Sequence, residues 1–358
     1  VELRSTDPPL LVVVGSGGVG KTTLAAAMGL VSAEAGLDTL VMTFDPSLRL
    51  KDALGVGDAA RGEEVRVPAD TPGVLHASLL DPRRTFDRLV TRYAPDDATR
   101  QRILSNPYYD HLAGHLGGIL EYMAVERLYE VAREGRYQRV ILDTPPTTQA
   151  IDFLEAPSRI VDFLDSGALK IALKPWFGDD GHLRAPSGLG FVGRGLEHFL
   201  DRVVGLQLLR DMSEFFRAFE PLFAGFRQRA EETEHLLGSP DTLFTLVTGP
   251  GESRIPDTLF FARRLQEAGY RLGPVVVNRV HPRFDPPDDG EGAGIGGRRL
   301  FHWLGKRHRR GLDQLRELMA GRTVVELPLA HDEPTDLGSL TAMGHDLEAA
   351  LQARSAGR

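Results

Sequence analysis

The chain has 358 residues, 42% of them apolar and 26% charged, with a formal net charge of −8. That length allows one large domain or two modest ones, and the acidic balance leaves no overall footprint for nucleic acid or an anionic membrane. There is no cysteine, which removes disulfides, thiolate metal sites and thiol nucleophiles and suits a reducing cytosol, and no apolar run of about 18 residues long enough to span a membrane.

Val1 to Pro9 is polar with charges of both signs and does not read as a signal peptide. The apolar strand Leu10 to Val14 then runs into Gly15-Ser16-Gly17-Gly18-Val19-Gly20-Lys21-Thr22-Thr23, which meets the pattern G-x-x-x-x-G-K-[ST]. Its glycines let consecutive backbone N–H groups turn toward one centre, and the helix that follows adds partial positive charge. Lys21 is placed to lie against the β- and γ-phosphates of a nucleotide, and the Thr22 hydroxyl to reach Mg²⁺. The same letters satisfy the dinucleotide pattern G-x-G-x-x-G, but Lys21-Thr22 directly after the last glycine argues against it.

Leu24 to Ala35 reads as a helix closed by Gly36, and Leu37 to Phe44 as a second strand that ends in Asp45-Pro46. Strand, loop, helix, strand at this spacing is a parallel βαβ unit, which puts Asp45 on the same sheet edge as the glycine loop. Two roles stay open for Asp45: a carboxylate that orients the attacking water, or the N-cap of a helix over Leu48 to Leu54. A strand over Gly73 to Leu79 follows, and then helical patterning from Asp81 to Gly135. His111 and His115 stand four apart there, without a further partner at metal-site spacing. The strand Arg139 to Leu142 ends in Asp143-Thr144-Pro145-Pro146-Thr147, and a strand-terminal carboxylate paired with such a loop is the usual holder of Mg²⁺.

Asp152 to Leu237 is helical again and heavily loaded with phenylalanine and leucine between Phe191 and Phe226. That load suits a local bundle core or a groove for an apolar client. The strands Thr242 to Thr248 and Gly273 to Val280 flank a helix over Ile255 to Ala268, and Asn278-Arg279 ends the second of them with an amide suited to the edge of adenine. Pro282 to Gly297 is an acidic, glycine-rich loop without the full set of oxygens for calcium. A basic run (Arg298-Arg299, Lys306 to Arg310) surrounds Phe301 and Trp303 and reads as a solvated helix face or a contact for an anionic partner. The last strand is Thr323 to Leu329 and the closing helix Leu337 to Leu351.

The glycine loop, Asp45-Pro46, Asp143 to Thr147 and Asn278-Arg279, in this order over nearly the whole chain, resemble the arsenite-pump and tail-anchored-protein-targeting ATPases among the P-loop proteins. The resemblance implies an α/β fold: one mostly parallel sheet flanked by helices over residues 1–358, with an α-helical subdomain inserted at about 81–135 and 152–237. It implies Mg²⁺-dependent ATP hydrolysis in the cytoplasm, as a homodimer or with a paralogue, whose nucleotide state opens and closes the dimer around a client or partner protein. The alternatives are a slow-turnover regulatory or scaffold subunit and the energising subunit of an anion exporter.

The ATP contacts carried over are Gly15 to Thr23, Asn278, Arg279 and, more weakly, Pro328; the catalytic pair is Asp45 and Lys21, and the Mg²⁺ set Thr22, Asp45 and Asp143. Two departures stand out. Ser16 occupies the position where the family carries a second lysine that reaches the partner's phosphates, with Arg49 or Lys51 as candidate substitutes. The absence of cysteine rules out thiol capture of metalloid and a Cys-x-x-Cys zinc clamp between subunits.

Overall fold

The computed structural model describes residues 3–44, 49–107, 109, 119–166, 206–282, 284 and 295–356, without the side chains at 49, 119, 120, 147, 148, 206–210, 212, 295, 296, 355 and 356. Among these, eight strands form one sheet: β1 (Leu10–Gly15), β2 (Thr39–Thr43), β3 (Val65–Arg66), β4 (Leu75–Leu79), β5 (Arg139–Asp143), β6 (Thr242–Thr248), β7 (Leu272–Val280) and β8 (Val324–Pro328). Their order is β3-β4-β2-β5-β1-β6-β7-β8, and every neighbouring pair is parallel except β3 with β4. β1 is buried along its whole length, as its Leu-Leu-Val-Val-Val run demands of a strand covered on both faces.

The helices are α1 (Lys21–Glu34), α2 (Arg49–Leu54), α3 (Pro82–Tyr93), α4 (Asp97–Leu104), α5 (Ile119–Glu134), α6 (Thr147–Asp165), α7 (Leu206–Phe219), α8 (Phe223–Gly238), α9 (Ile255–Glu267), α10 (Ile295–Leu318) and α11 (Leu337–Ala356). The fold is thus α/β with a mostly parallel sheet flanked by helices and a helical insert, as the strand–helix alternation implies. Helix α1 starts three residues before the alanine-rich stretch because Leu24 N–H already donates to Gly20 C=O at 2.9 Å, which draws Lys21 to Thr23 into its first turn. It closes at Gly36 (φ 86°), with Gly36 N–H on Ala33 C=O and Leu37 N–H on Ser32 C=O, a Schellman turn. The one strand that the sequence pattern does not show is β3, whose two residues are too few for any periodicity.

By contacts the chain divides into two units: Val1–Leu80, Val131–Ile151 and His235–Arg358 in one, Asp81–Glu130 and Asp152–Glu234 in the other. In the first, α1 lies between the sheet and α11. Gly344 permits that approach, since a Cβ there would stand 2.7 Å from Ala27 C=O and 2.5 Å from Val31 Cγ2. The second unit closes on aromatic rings. Phe215, Phe219, Leu222 and Phe226 are buried, with Phe219 4.9 Å from Phe226 and 5.5 Å from Phe86 between centroids. These four serve the unit's own core, while Phe216 and Phe223 are half-buried. The earlier part of the phenylalanine-rich stretch, Phe191 to Val203, lies outside the described residues, as do His111 and His115. Beside the rings, Arg229 Nε donates to Glu126 Oε2 at 2.7 Å and its guanidinium lies 4.2 Å from the Tyr93 centroid.

Candidate functional site

The glycine loop joins β1 to α1 at the C-terminal edge of the sheet, where open α/β sheets bind their ligands. Two of its glycines are obligatory for packing as well as for conformation. A Cβ on Gly15 (φ 147°) would fall 2.0 Å from Val247 C=O on β6, and one on Gly20 (φ 91°) 2.5 Å from Asn278 Nδ2. Lys21 is 7% exposed, and its ammonium donates to Ser16 C=O at 3.1 Å, across the mouth of the loop. Ser16 itself is equally enclosed, at 7% exposure.

Asp143 ends β5 in register with Val13 on one side and Thr43 on the other, and it is fully buried. Its Oδ2 accepts from Thr22 Oγ1 at 2.7 Å and from Thr43 Oγ1 at 2.8 Å, so hydroxyls from α1 and β2 converge on one carboxylate. Thr144 secures the segment by donating N–H and hydroxyl to Val13 C=O at 3.2 and 2.9 Å. Thr22 and Asp143 therefore present hard oxygen donors at hydrogen-bond separation, a set that fits Mg²⁺. Thr43 is a member of this cluster that sequence reasoning missed; its signal is a hydroxyl at the end of an otherwise apolar strand. Asp45 lies outside the described residues, two positions beyond Thr43.

The other wall is β7. Asn278, 4% exposed, donates Nδ2–H to Val19 C=O at 2.9 Å and accepts from Arg279 N–H at 2.9 Å. Arg279 holds a left-handed backbone (φ 62°), uncommon for a side-chain-bearing residue and a conformation found at ligand clamps. Its guanidinium donates to Gly18 C=O at 3.1 Å and meets Glu333 at 3.5 Å, tying the loop to the segment after β8. Between these walls opens a cavity of about 510 Å³ bounded by Gly20, Thr23, Asn278, Arg279 and Pro328, with Asp332, Glu333 and Asp346 on its rim. That volume is in the range of small-ligand sites. A second recess of about 210 Å³ shares Asn278 and Arg279 and is closed by Gly249–Gly251 and Arg254.

The structure thus assembles the glycine loop, Asp143, Asn278, Arg279 and Pro328 at one sheet edge. Of the two candidate substitutes for the second lysine, Lys51 is bound to Asp58 at 2.8 Å, and the Arg49 side chain is outside the described set. Among the described residues there is no group of three or more metal-ligating side chains, and no helix is long and apolar enough to cross a membrane.

Residues 9–175 match the sequence profile of the anion-transporting ATPases. Over that stretch, somewhat less than half of its length, the chain resembles that family. ATPase ARSA2 of Chlamydomonas reinhardtii is 24% identical over 351 residues, 94% of this chain and 83% of that protein. ATPase get3 of Aspergillus terreus is 26% identical over 326 residues, 90% of this chain and 85% of the relative. The putative arsenical pump-driving ATPase 1 of Aquifex aeolicus is 24% identical over 277 residues, 76% and 63% of the two chains. These matches make the protein an ATP hydrolase.

Proposed function

We propose that this ATPase binds Mg·ATP in the loop Gly15 to Thr23 and hydrolyses it by in-line attack of water on the γ-phosphorus. We further propose that its nucleotide state opens and closes a dimer, of two copies or with a paralogue, that handles a client or partner protein in the cytoplasm. The observation that carries the first part is the cavity of about 510 Å³ opening directly from Gly20 and Thr23 toward Asn278, Arg279 and Pro328. A nucleotide with its phosphates in the loop has room there for ribose and adenine. Thr22, Asp143 and Asp45 would hold the metal, which supplies positive charge to the β- and γ-phosphate oxygens when bound.

The chain's own residues do the rest. Lys21, which donates to Ser16 C=O in this structure, would turn its ammonium to the phosphate oxygens, and the backbone N–H groups of the loop add further donors. Asp45 orients the water, and the transferred phosphoryl leaves the bridging oxygen on ADP. Catalysis of this kind is positioning and electrostatics. The test is Lys21→Ala: loss of ATP turnover with retained melting temperature is expected, and an unchanged rate refutes the assignment.

Ser16 and the engagement of Lys51 favour a second reading, a slow-turnover regulatory or scaffold subunit. Ser16 carries no charge, and Lys51 is engaged by the exposed Asp58 at 2.8 Å. Tight ATP binding with turnover close to zero selects it. ATP-dependent dimerisation together with nucleotide-dependent capture of an apolar peptide selects the client-handling reading. The likeness to the Aquifex arsenical pump-driving ATPase supports a third, in which the chain energises an anion exporter.

A further inference from the structure

Five of the eight large apolar side chains exposed among the described residues lie on α10 or just before it: Phe284, Leu300, Phe301, Trp303 and Leu318. The helix is firmly seated elsewhere on its circumference. A Cβ on Gly305, on the side away from Leu300 and Trp303, would stand 2.8 Å from Pro282 C=O, and one on Gly311, beside Leu300, 2.5 Å from Pro250 C=O, so the backbone makes close contact at both. Leu312 and Leu315 are buried, and Arg309 and Arg316 both donate to Glu326 on β8. His308 also turns inward, its ring 4.9 Å from that of His281, and burial holds its pKa below the usual imidazole value.

The basic run therefore divides. His308 and Arg309 belong to the inner side, while Lys306, Arg307 and Arg310 point outward. At roughly 100° per residue, Leu300, Trp303, Arg307 and Arg310 share a stripe about 80° wide, with Lys306 about 40° beyond its edge. Trp303 is 52% exposed and Leu300 53%. The Arg307 guanidinium lies 5.3 Å from the Trp303 centroid, and Arg310 shares its charge with Glu252 at 3.0 Å.

The geometry points to this outer stripe of α10 as a peripheral docking surface for a lipid leaflet rich in anionic phospholipid headgroups. Three features select that occupant. Apolar and cationic groups are interleaved on one convex helix side, which meets a flat, deformable surface better than it holds a peptide; peptide sites are grooves. Tryptophan and arginine are the side chains that sit at headgroup depth, with ring and stem toward the acyl boundary and polar ends in the headgroups. The charge is local: a chain of net −8 has no general attraction for an anionic surface, so contact must be made through this stripe and in one orientation.

The test is flotation of the full chain with vesicles of phosphatidylcholine alone or with one-third phosphatidylglycerol, at low and raised salt. Trp303 emission is followed in a Trp176→Phe background, where it is the sole indole. Expected are binding to the anionic vesicles only, weakening as salt screens it, and a blue shift of Trp303. The double change Lys306→Glu/Arg307→Glu should weaken binding at least about twentyfold, since each cation at such a surface counts for about fivefold. Leu300→Ser/Trp303→Ser should also abolish the binding, both variants keeping wild-type ATP affinity and melting temperature. Equal binding to neutral vesicles, no binding to either, or variants that bind like wild type overturn the inference. So does lipid-free self-association lost in the same variants, which makes the stripe an interface between copies, or capture of an acidic polypeptide without vesicle binding.

Discussion

Replacing Asn278 by alanine tests whether the shape of the phosphate loop depends on a strand remote in sequence. The amide makes two hydrogen bonds of 2.9 Å, one to Val19 C=O in the loop and one from Arg279 N–H, and is 4% exposed. Truncation leaves both backbone groups without these partners. A stranded buried polar group costs about 1–3 kcal/mol. Water from the adjoining cavity can reach both, so the lower end applies and the sum is about 2 kcal/mol. If most of that falls on the loop, its competent shape becomes a minor state and the apparent Kd for ATP rises roughly tenfold, by the fraction lost.

Calorimetric titration with Mg·ATP and with Mg·tripolyphosphate separates this from loss of a base contact, because tripolyphosphate has no base. Equal weakening of both ligands is expected. Weakening of ATP alone refutes the reasoning and leaves Asn278 as a base contact only. Asn278→Asp sharpens the comparison: it keeps the acceptor for Arg279 N–H but loses the donor to Val19 C=O and adds a negative charge. It should bind both ligands more weakly than the alanine variant.

Three further outcomes are expected. Thr22→Val removes the 2.7 Å hydroxyl donor to the buried Asp143, so turnover and Mg²⁺ dependence should both deteriorate while the sheet stays folded, read by steady-state kinetics over a Mg²⁺ series and by circular dichroism. Gly344→Ala drives a methyl to 2.7 Å from Ala27 C=O and should cost about 1–3 kcal/mol as α11 lifts from α1, read as a shifted denaturant midpoint. Burial, despite the neighbouring Arg229, raises the carboxyl pKa of Glu126 above its usual value. The folded state therefore favours the protonated form: that contribution is full below the ordinary carboxylate pKa and is lost as pH climbs through the raised one. Glu126→Gln should flatten this decline in the melting temperature as pH rises from about 4.5.

Much of the fold was legible because parallel strands buried on both faces are written as short apolar runs, and each strand except β3 is followed by a helical segment. That the glycine loop and Asp143 meet at one sheet edge was legible for a related reason: both stand at the ends of apolar strands of a parallel sheet. Thr43 was not, because one hydroxyl in an apolar run says nothing until its register opposite Asp143 is known. Nor was the link from Asn278 to Val19, whose two residues are 259 positions apart. The phenylalanine-rich stretch and the basic run each admitted two readings. The structure resolves what is described of them by showing which side chains are enclosed: Phe215, Phe219 and Phe226 inward, Arg309 committed to Glu326, Trp303 and Lys306 outward.

By itself the sequence determined the fold class and a nucleotide loop at a strand end, because periodicity and glycine spacing act over a few residues and need no partner. Only the tertiary structure decided the strand order that sets β1 between β5 and β6, the convergence of Thr22 and Thr43 on Asp143, and the cavity between the loop and β7–β8. Those are pairings between distant segments, and their energies belong to neither partner alone. The same holds for Ser16 and Lys51. Sequence marks Ser16 as uncharged, and the structure shows that Lys51, one of two candidates to replace a lysine there, pairs with Asp58.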